Sequence, residues 1–318
     1  MYNPEEKQRY INYKESQAIL PNNYLDRLFK DTEGLEYDLR VDVSDWDEPM
    51  IIEFYKKRKT PSLQSLIVMN GRLAEYTDFL SRLNGKRTDN KFNNITTDVL
   101  KTCIDEEKSK RRFISKNDFY LSLNVLDNAV DKFVMTALFE GIKGKNFEDI
   151  WRLELKNISK DSAVLHNNKK IDLMDSNLYY LANESAETYD YYTFGKKETV
   201  VRMFGAPDQI IKEVNAKQHL EINDDPVMIS RQGKNIFRKF ERAANEIGWE
   251  EIKPRTLLIS GQIEYTKRIA ETYKKDIEDV IYDNELFSTV ERRFIKISNK
   301  EEFVQASRYV SQQSTSSG

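Results

Sequence analysis

Residues 133–158, FVMTALFEGIKGKNFEDIWRLELKNI, decide how the rest of the chain is interpreted. Apolar residues recur at helical spacing in the first part, and Gly141 ends them. A Gly-Ile-Lys-Gly turn follows, and a second amphipathic helix is predicted from about Asn146. Its apolar positions are Phe147, Ile150, Trp151 and Leu155. The glycines supply the positive φ angles of a helix C-cap and leave Lys143 projecting from a rigid turn, suited to binding a phosphate. An ordinary helical corner with a solvated lysine has the same pattern.

The composition is that of a globular protein. The chain has 318 residues, 39% hydrophobic and 32% charged, enough for two domains with sizeable cores. Long helical patterns and few strand patterns predict a mainly α fold with a small β-sheet (α+β). A single cysteine, Cys103, excludes internal disulfides, and only two histidines, His166 and His219, argue against a zinc site. We therefore expect no metal and no cofactor.

The sequence also indicates where the protein acts. No apolar run approaches the roughly 20 residues that a membrane span needs. The N-terminal residues MYNPEEKQRYINYKESQ contain no apolar signal core. We expect a cytoplasmic location and no membrane partner.

Charge is distributed unevenly along the chain. The net charge is −3 and the isoelectric point about 5.8, values that by themselves argue against a nucleic-acid partner. Basic residues nevertheless cluster at 56–59, 108–112, 168–170 and 195–197. Because a binding face depends on local potential, these clusters are candidate phosphate contacts. Solvated helix faces are the alternative explanation for each cluster.

Four segments are predicted along the chain. Residues 1–46 form a helical N-terminal arm, in which 34–46 is either a short strand or an extended stretch. Residues 47–112 form a small helical module with basic helix ends, followed by a linker at 111–114. Residues 113–310 form the larger domain, and residues 311–318 a polar, frayed tail.

The larger domain contains the clearest β signal. Residues 163–166 and 170–173 are predicted strands joined through Asn167-Asn168, a pair that tolerates the positive φ of a tight turn. Helices are predicted at 177–187 and 208–219, a polar aromatic loop at 189–194, and a helical turn or a strand at 199–205. The last third is helical. Its helix over 228–248 is basic on one side, at Arg231, Lys234, Arg238 and Lys239.

This order of elements resembles the tyrosine recombinase (phage integrase) family over about residues 47–297. ALFEGIKGKNFEDIWRLELKNI is similar to the family segment TGLR-x-SE-x-x-x-L, which places Lys143 at the first catalytic arginine. AVLHNNKKIDLMD is similar to the family hairpin, so Lys169 or Lys170 corresponds to the catalytic lysine. IKPRTLLISG and NELFSTVERRF are similar to the segments I-T-P-H-x-L-R-H-S/T and G-H-S-S-x-x-T-T-x-x-Y. The resemblance implies a core-binding (SAM-like) domain at 47–112 and a catalytic-like domain at 113–310.

The departures from the family pattern concern its chemistry. The family cleaves DNA through a phosphotyrosine, with arginines that stabilise the pentavalent phosphate. In this chain Arg255 replaces the histidine, Leu258 the second arginine, Asn284-Glu285 the Gly-His pair, and Phe294 the nucleophilic tyrosine. A phenyl ring has no hydroxyl, a leucine cannot donate a hydrogen bond, and Lys143 is a point charge where a bidentate fork is wanted. Tyr273, Tyr282 or Tyr309 would serve as nucleophile only in a shifted alignment.

The resemblance therefore implies a scaffold that binds DNA without cutting it. It is most similar to the integrase-like master repressors of lysogeny of SPβ-type Bacillus phages. That similarity implies a sequence-specific repressor of lytic genes, bound to operator sites in double-stranded DNA at the nucleoid of the bacterial host. An antagonist protein that relieves repression is a compatible partner. An active but divergent recombinase and a helical protein-interaction module are the two alternatives, the latter suggested by the 189–194 aromatics and the acidic 33–47 stretch.

Three groups of residues are expected to contact DNA. The inferred active-site bowl contributes Lys143, Lys169, Lys170 and Arg255. A helix that enters or flanks the major groove contributes Arg231, Lys234 and Arg238. The other half of a clamp contributes Arg58, Lys59, Arg72, Arg111 and Arg112.

Overall fold

A computed structural model of the chain describes residues 1–17, 24–83, 85, 89–193, 196–214 and 225–316. The chain divides into two compact units, Met1–Ser109 and Lys110–Gly318. Helices dominate the described residues, and their strands form two small antiparallel sheets. The predicted mainly α fold with a small β content is confirmed. Within the described ranges, no helix combines the length and the apolar character required to cross a membrane.

The first unit packs its helices around one hydrophobic cluster. The helices are α1 (Pro4–Ser16), α2 (Tyr24–Leu39), α3 (Glu48–Arg58), α4 (Leu63–Leu83) and α5 (Thr97–Lys101), with α6 (Glu106–Lys110) at the unit boundary. The rings of Tyr10 in α1, Phe29 in α2 and Tyr76 in α4 contact one another edge to face. Residues 1–46 thus share one core with residues 47–109.

A buried ion pair joins α1 to α2. Lys7 Nζ lies 2.5 Å from both carboxylate oxygens of Glu36, and both side chains are fully buried. The Thr32 hydroxyl and the Val43 backbone N–H also donate to this carboxylate, at 2.9 and 2.8 Å. Burial raises the pKa of Glu36, and the hydrogen bond from Lys7 opposes that shift. The carboxylate therefore ties the end of α2 to the segment that follows it.

The structure overturns the interpretation of residues 34–46 as a strand or an extended stretch. Residues 34–39 are the last turns of α2, and Val43–Asp45 is a 3₁₀ helix. The acidic Glu36 can be buried in this helix because it is paired with Lys7, which lies 29 residues away in the sequence.

The second unit contains nine described helices and two hairpins. The helices are α7 (Lys116–Leu123), α8 (Ala129–Phe139), α9 (Glu148–Trp151), α10 (Asn177–Glu187), α11 (Pro226–Ile247), α12 (Pro254–Tyr273), α13 (Ile277–Tyr282), α14 (Asn284–Arg293) and α15 (Lys300–Ser316). The hairpins pair β1 (Ser162–Val164) with β2 (Lys170–Asp172), and β3 (Asp190–Thr193) with β4 (Lys196–Arg202). The first hairpin and α10 confirm the predictions for 163–173 and 177–187.

Helix α12 lies between two hydrophobic clusters of this unit. Its Leu257 belongs to the larger cluster, which surrounds α8, whereas its Ile263 belongs to a cluster with side chains of α14 and α15. The backbones of α8 and α12 approach closely. A Cβ atom on Gly261 would overlap the carbonyl oxygen of Phe139 and lie 2.7 Å from its carbonyl carbon. At this contact the end of α8 packs against the first half of α12.

Other predictions for the second unit were wrong or only partly right. Residues 190–193 form β3 rather than a loop, because the Tyr191 ring is buried and its hydroxyl donates to Asp131 Oδ2 at 2.8 Å. Residues 199–202 belong to β4, which confirms the strand alternative for the start of 199–205, whereas the described residues from 208 to 214 contain no helix. The expected linker side chains Phe113 and Ile114 are buried. Helix α15 extends to Ser316, through most of the expected tail. Phe194, Gly195 and the predictions for 215–219, with His219, lie outside the described residues.

Candidate nucleic-acid interface

The Gly141–Gly144 turn is built by two glycines that no other residue can replace without strain. Gly141 has φ 87°, its N–H donates to the Leu138 carbonyl, and the Ile142 N–H donates to the Ala137 carbonyl. These two bonds form a Schellman motif, which satisfies the last carbonyls of α8. Gly144 has φ 65°, and a Cβ there would lie 2.8 Å from the backbone nitrogen of Asp149. The turn is therefore rigid on both sides of Lys143.

The second helix predicted after this turn does not form as expected. Asn146 and Phe147 have φ angles of 53° and 59°, which an α-helix cannot accommodate. A 3₁₀ turn, the single-turn helix α9 and another 3₁₀ turn replace it. The cause is a tertiary contact with Gly233 of α11. A Cβ atom on Gly233 would lie only 2.7 Å from the Asn146 carbonyl oxygen. Helix α11 therefore lies directly against the Lys143 turn.

Lys143 and Arg255 form a pair of like charges. Lys143 is half-buried, and Arg255 is exposed in the first turn of α12. Burial lowers the pKa of Lys143, and repulsion from Arg255 lowers it further. Among the described residues, no carboxylate lies within ion-pair distance of either side chain. Two adjacent cations without an acid favour binding of an anion.

The β1–β2 hairpin brings Lys169 to the end of α14. Asn168 has φ 62° in the turn, and Lys169 Nζ donates to the Arg292 carbonyl oxygen at 2.8 Å. Lys170 is the first residue of β2 and pairs with Val164. The sequence left open whether Lys169 or Lys170 corresponds to the catalytic lysine of the family. In the structure, Lys169 contacts the segment that ends at Phe294.

Phe294 packs against the glycine turn. A Cβ on Gly141 would lie 2.9 Å from two carbon atoms of the Phe294 ring. The Tyr265 ring, which the sequence analysis did not single out, lies 5.8 Å from the Phe294 ring, centroid to centroid. Leu258, at the position of the second family arginine, is buried. Neither Phe294 nor Leu258 offers a hydrogen-bond donor to a phosphate.

A buried ion pair that the sequence analysis missed lies beneath this surface. Arg293 Nη2 donates to Glu140 Oε2 at 2.6 Å, and the Arg293 guanidinium stacks on the Tyr265 ring at 4.3 Å. Burial raises the pKa of Glu140 to about 7, against the opposing effect of Arg293. Arg293 follows the buried Phe287 and Val290 of α14 at intervals of three residues. That helical spacing in the sequence could have indicated that this arginine faces inward.

Helix α11 presents an exposed cationic face. Arg231, Lys234 and Arg238 are exposed and line one groove with a volume of about 470 Å³. Among the described residues, none of the three has a carboxylate within ion-pair distance. Lys239, predicted to share this face, is buried and lies 4.5 Å above the Tyr191 ring. Its position one residue after Arg238 rotates it by about 100° around the helix, onto the buried side.

The remaining predicted cations differ in their availability. In the first unit, Arg58 pairs with Asp31, and Arg72 pairs with Glu75 at 2.9 Å. Lys59 ends α3 with φ 50° and is exposed. In the second unit, Arg111 is exposed, whereas Arg112 pairs with Glu302 at 3.1 Å. Such partly exposed pairs are weak and exchange for a phosphate at little cost.

No metal-binding cluster is found in the described part of the chain: no group of three or more His, Cys, Asp or Glu side chains there is arranged to hold a metal ion.

Comparison with known proteins places the second unit in a family. Residues 113–310, more than half of the chain, match the family model described as MrpR, C-terminal catalytic domain. No curated protein matches the chain. The matched range begins in the segment that enters the second unit and ends within α15. The chain therefore belongs to the MrpR family through its C-terminal catalytic domain, which is tyrosine-recombinase-like.

Proposed function

We propose that this protein is a non-catalytic, sequence-specific transcriptional repressor that binds double-stranded DNA on a tyrosine-recombinase scaffold. In this proposal it maintains lysogeny of a prophage of the SPβ type by repressing lytic genes in the cytoplasm of the bacterial host. The observation that carries the proposal is the half-buried Lys143 in its glycine turn, where the nearby Arg255 charge lowers its pKa and where, among the described residues, neither cation has a carboxylate within ion-pair distance. A backbone phosphate is the anion that the scaffold suits best.

The cations of the second unit support a DNA partner. Lys143 lies in the turn against which α11 packs, and α11 carries Arg231, Lys234 and Arg238 on its exposed face. Phosphate contacts near the turn would set the position of the protein on the duplex. An exposed helix face beside them is suited to reading bases in the major groove.

The residues that replace the catalytic ones support binding without cleavage. Transesterification needs a hydroxyl nucleophile, and Phe294 has none. Loss of one preorganised donor to the developing charge costs about 3 kcal/mol, and Leu258 removes such a donor. Lys143 supplies charge but not the bidentate geometry of an arginine.

Replacement of Lys143 by alanine is expected to weaken DNA binding about tenfold at low salt, with little change in sequence preference. One lost phosphate contact also reduces the slope of log K against log salt by about 0.9. Gel shifts on a promoter fragment and on a scrambled fragment, across salt concentrations, measure both quantities. Lys156→Ala is the matched control, because Lys156 is exposed and pairs with Glu154. Wild-type affinity and slope in Lys143→Ala would contradict the assigned role.

The second candidate function, an active but divergent recombinase, rests on the nearness of Tyr265 to Phe294. We expect no covalent adduct with a suicide DNA substrate for the wild type, for Phe294→Tyr or for Tyr265→Phe. Phe294→Tyr restores a hydroxyl, but the site still lacks the second arginine, because position 258 is a leucine. An adduct in the wild type that disappears in Tyr265→Phe would establish the recombinase instead.

A footprint on the candidate phage promoters tests the proposed function as a whole. Protection of defined sites, lost progressively as salt increases, is the expected result. Absence of any specific site would reject the repressor. A pull-down from the host that captures a protein, without DNA binding, would favour the interaction module. An antagonist would be recognised by loss of the footprint when it is added.

A further inference from the structure

The ion pair of Glu140 and Arg293 lies beneath the exposed cations rather than among them. Both side chains are buried, so neither reaches a DNA phosphate. Burying an ion pair is costly unless its remaining hydrogen-bonding groups find partners. Here several of those partners are backbone groups of other segments, and the identity of these segments suggests what the pair does.

Three segments meet at this pair. Glu140 directly precedes the Gly141–Gly144 turn, and its Oε2 accepts a hydrogen bond from the Met174 N–H, just beyond β2, at 2.9 Å. Arg293, in the last turn of α14, donates to the carbonyl oxygens of Glu140, at 3.2 Å, and of Asp172 in β2. The turn, the hairpin and the end of α14 are thus connected through two side chains that lie 153 residues apart in the sequence.

Two of these three segments carry cations of the proposed interface. Lys143 lies in the turn and is half-buried, and Lys169 lies at the hairpin tip and is exposed. Lys169 also donates to the carbonyl of Arg292, the neighbour of Arg293. Displacement of the pair would therefore release both lysines from their present positions without removing either charge.

We infer that Glu140 and Arg293 are positioning residues for DNA binding, because the buried pair holds Lys143 and Lys169 where both engage backbone phosphates. This inference rests on the proposed function and deepens it. Lysine would not replace Arg293, because a single ammonium cannot donate in the directions of Glu140 and Asp172 with the fixed geometry of a guanidinium.

The salt dependence of DNA binding distinguishes positioning from mere stability. In the full chain, Arg293→Met is expected to reduce the slope of log K against log salt by about 2, the loss of two phosphate contacts. A purely structural role would lower the folded fraction and leave the slope of the folded protein unchanged. The same substitution in a Lys143→Ala/Lys169→Ala background is expected to cause no further loss of slope. A folded Arg293→Met protein with the wild-type slope would overturn the inference.

A second variant keeps the test decisive if Arg293→Met does not fold. Glu140→Gln/Arg293→Met leaves no buried charge unpaired and is expected to fold. Its slope should remain reduced, because methionine cannot donate to the Asp172 carbonyl. A wild-type slope in this double variant would also overturn the inference.

Amide hydrogen exchange separates failure of the inference from failure of the proposed function. If the wild type binds no DNA specifically, the repressor proposal fails. The positioning role is then judged by exchange alone. Faster exchange at residues 141–144 and 168–174 in the double variant, with unchanged exchange in β3 and β4, supports it. Unchanged exchange at residues 141–144 and 168–174 rejects it.

Discussion

Replacement of Gly261 by alanine is expected to destabilise the second unit by on the order of 3 kcal/mol or more. The added Cβ would overlap the carbonyl oxygen of Phe139, and neither atom can rotate away, because the Cβ is fixed to the backbone of α12 and the oxygen belongs to the backbone of α8. Relief requires α12 to move from α8, which disturbs the packing of both clusters beside α12. Urea denaturation of the full chain measures the loss, and hydrogen exchange in α8 and α12 assigns it to this unit.

The same substitution at Gly71 is the matched control. Gly71 lies within α4, and nothing would lie within 4 Å of an added Cβ. Alanine is a better helix former than glycine by about 1 kcal/mol, so Gly71→Ala is expected to stabilise the chain slightly. If Gly71→Ala raises the free energy of unfolding and Gly261→Ala lowers it, the loss at position 261 is due to the contact between α8 and α12. A change in the same direction for both variants would contradict the close approach of α8 and α12.

Replacement of Lys7 by methionine is expected to destabilise the first unit by about 3–5 kcal/mol, because it leaves the Glu36 carboxylate buried without its cation. The loss should depend on pH. Burial already raises the pKa of Glu36, and removal of Lys7 raises it further. The loss of unfolding free energy should therefore be greatest above neutral pH. It should shrink as the pH falls toward 4.5, the ordinary pKa of a glutamate carboxyl group. Denaturation at several pH values measures it.

Two comparisons test the cause. Lys7→Met/Glu36→Gln removes both charges and should recover most of the stability, with little dependence on pH. Lys57→Met breaks the exposed pair with Glu53 on α3 and should cause no measurable change. A mild, pH-independent effect of Lys7→Met would mean that the buried pair contributes little to the first unit.

Local patterns in the sequence predicted the parts of the fold that local forces determine. The Asn167-Asn168 turn, the helix over 177–187 and the glycine stop after α8 were all recognisable from residues within a few positions of one another. For these features, turn chemistry and helical periodicity are sufficient. Lys143 and Arg255 were assigned to one site from the resemblance instead, and in the structure the charge of Arg255 lowers the pKa of Lys143.

Contacts between distant segments explain what the sequence did not predict. The helix expected from about Asn146 fails because Asn146 packs against Gly233, and the loop expected at 189–194 fails because Tyr191 bonds to Asp131. Glu140 and Arg293 are separated by most of the domain. No local pattern states that two such side chains meet.

The contact between Gly141 and Phe294 limits how these two positions can change together. A side chain at 141 and a phenyl ring at 294 would occupy the same space, so a larger residue at one position requires a smaller residue at the other. A library randomised at both positions and selected for a folded protein should return correlated pairs rather than independent preferences. The contact therefore couples the residues that positions 141 and 294 can accept.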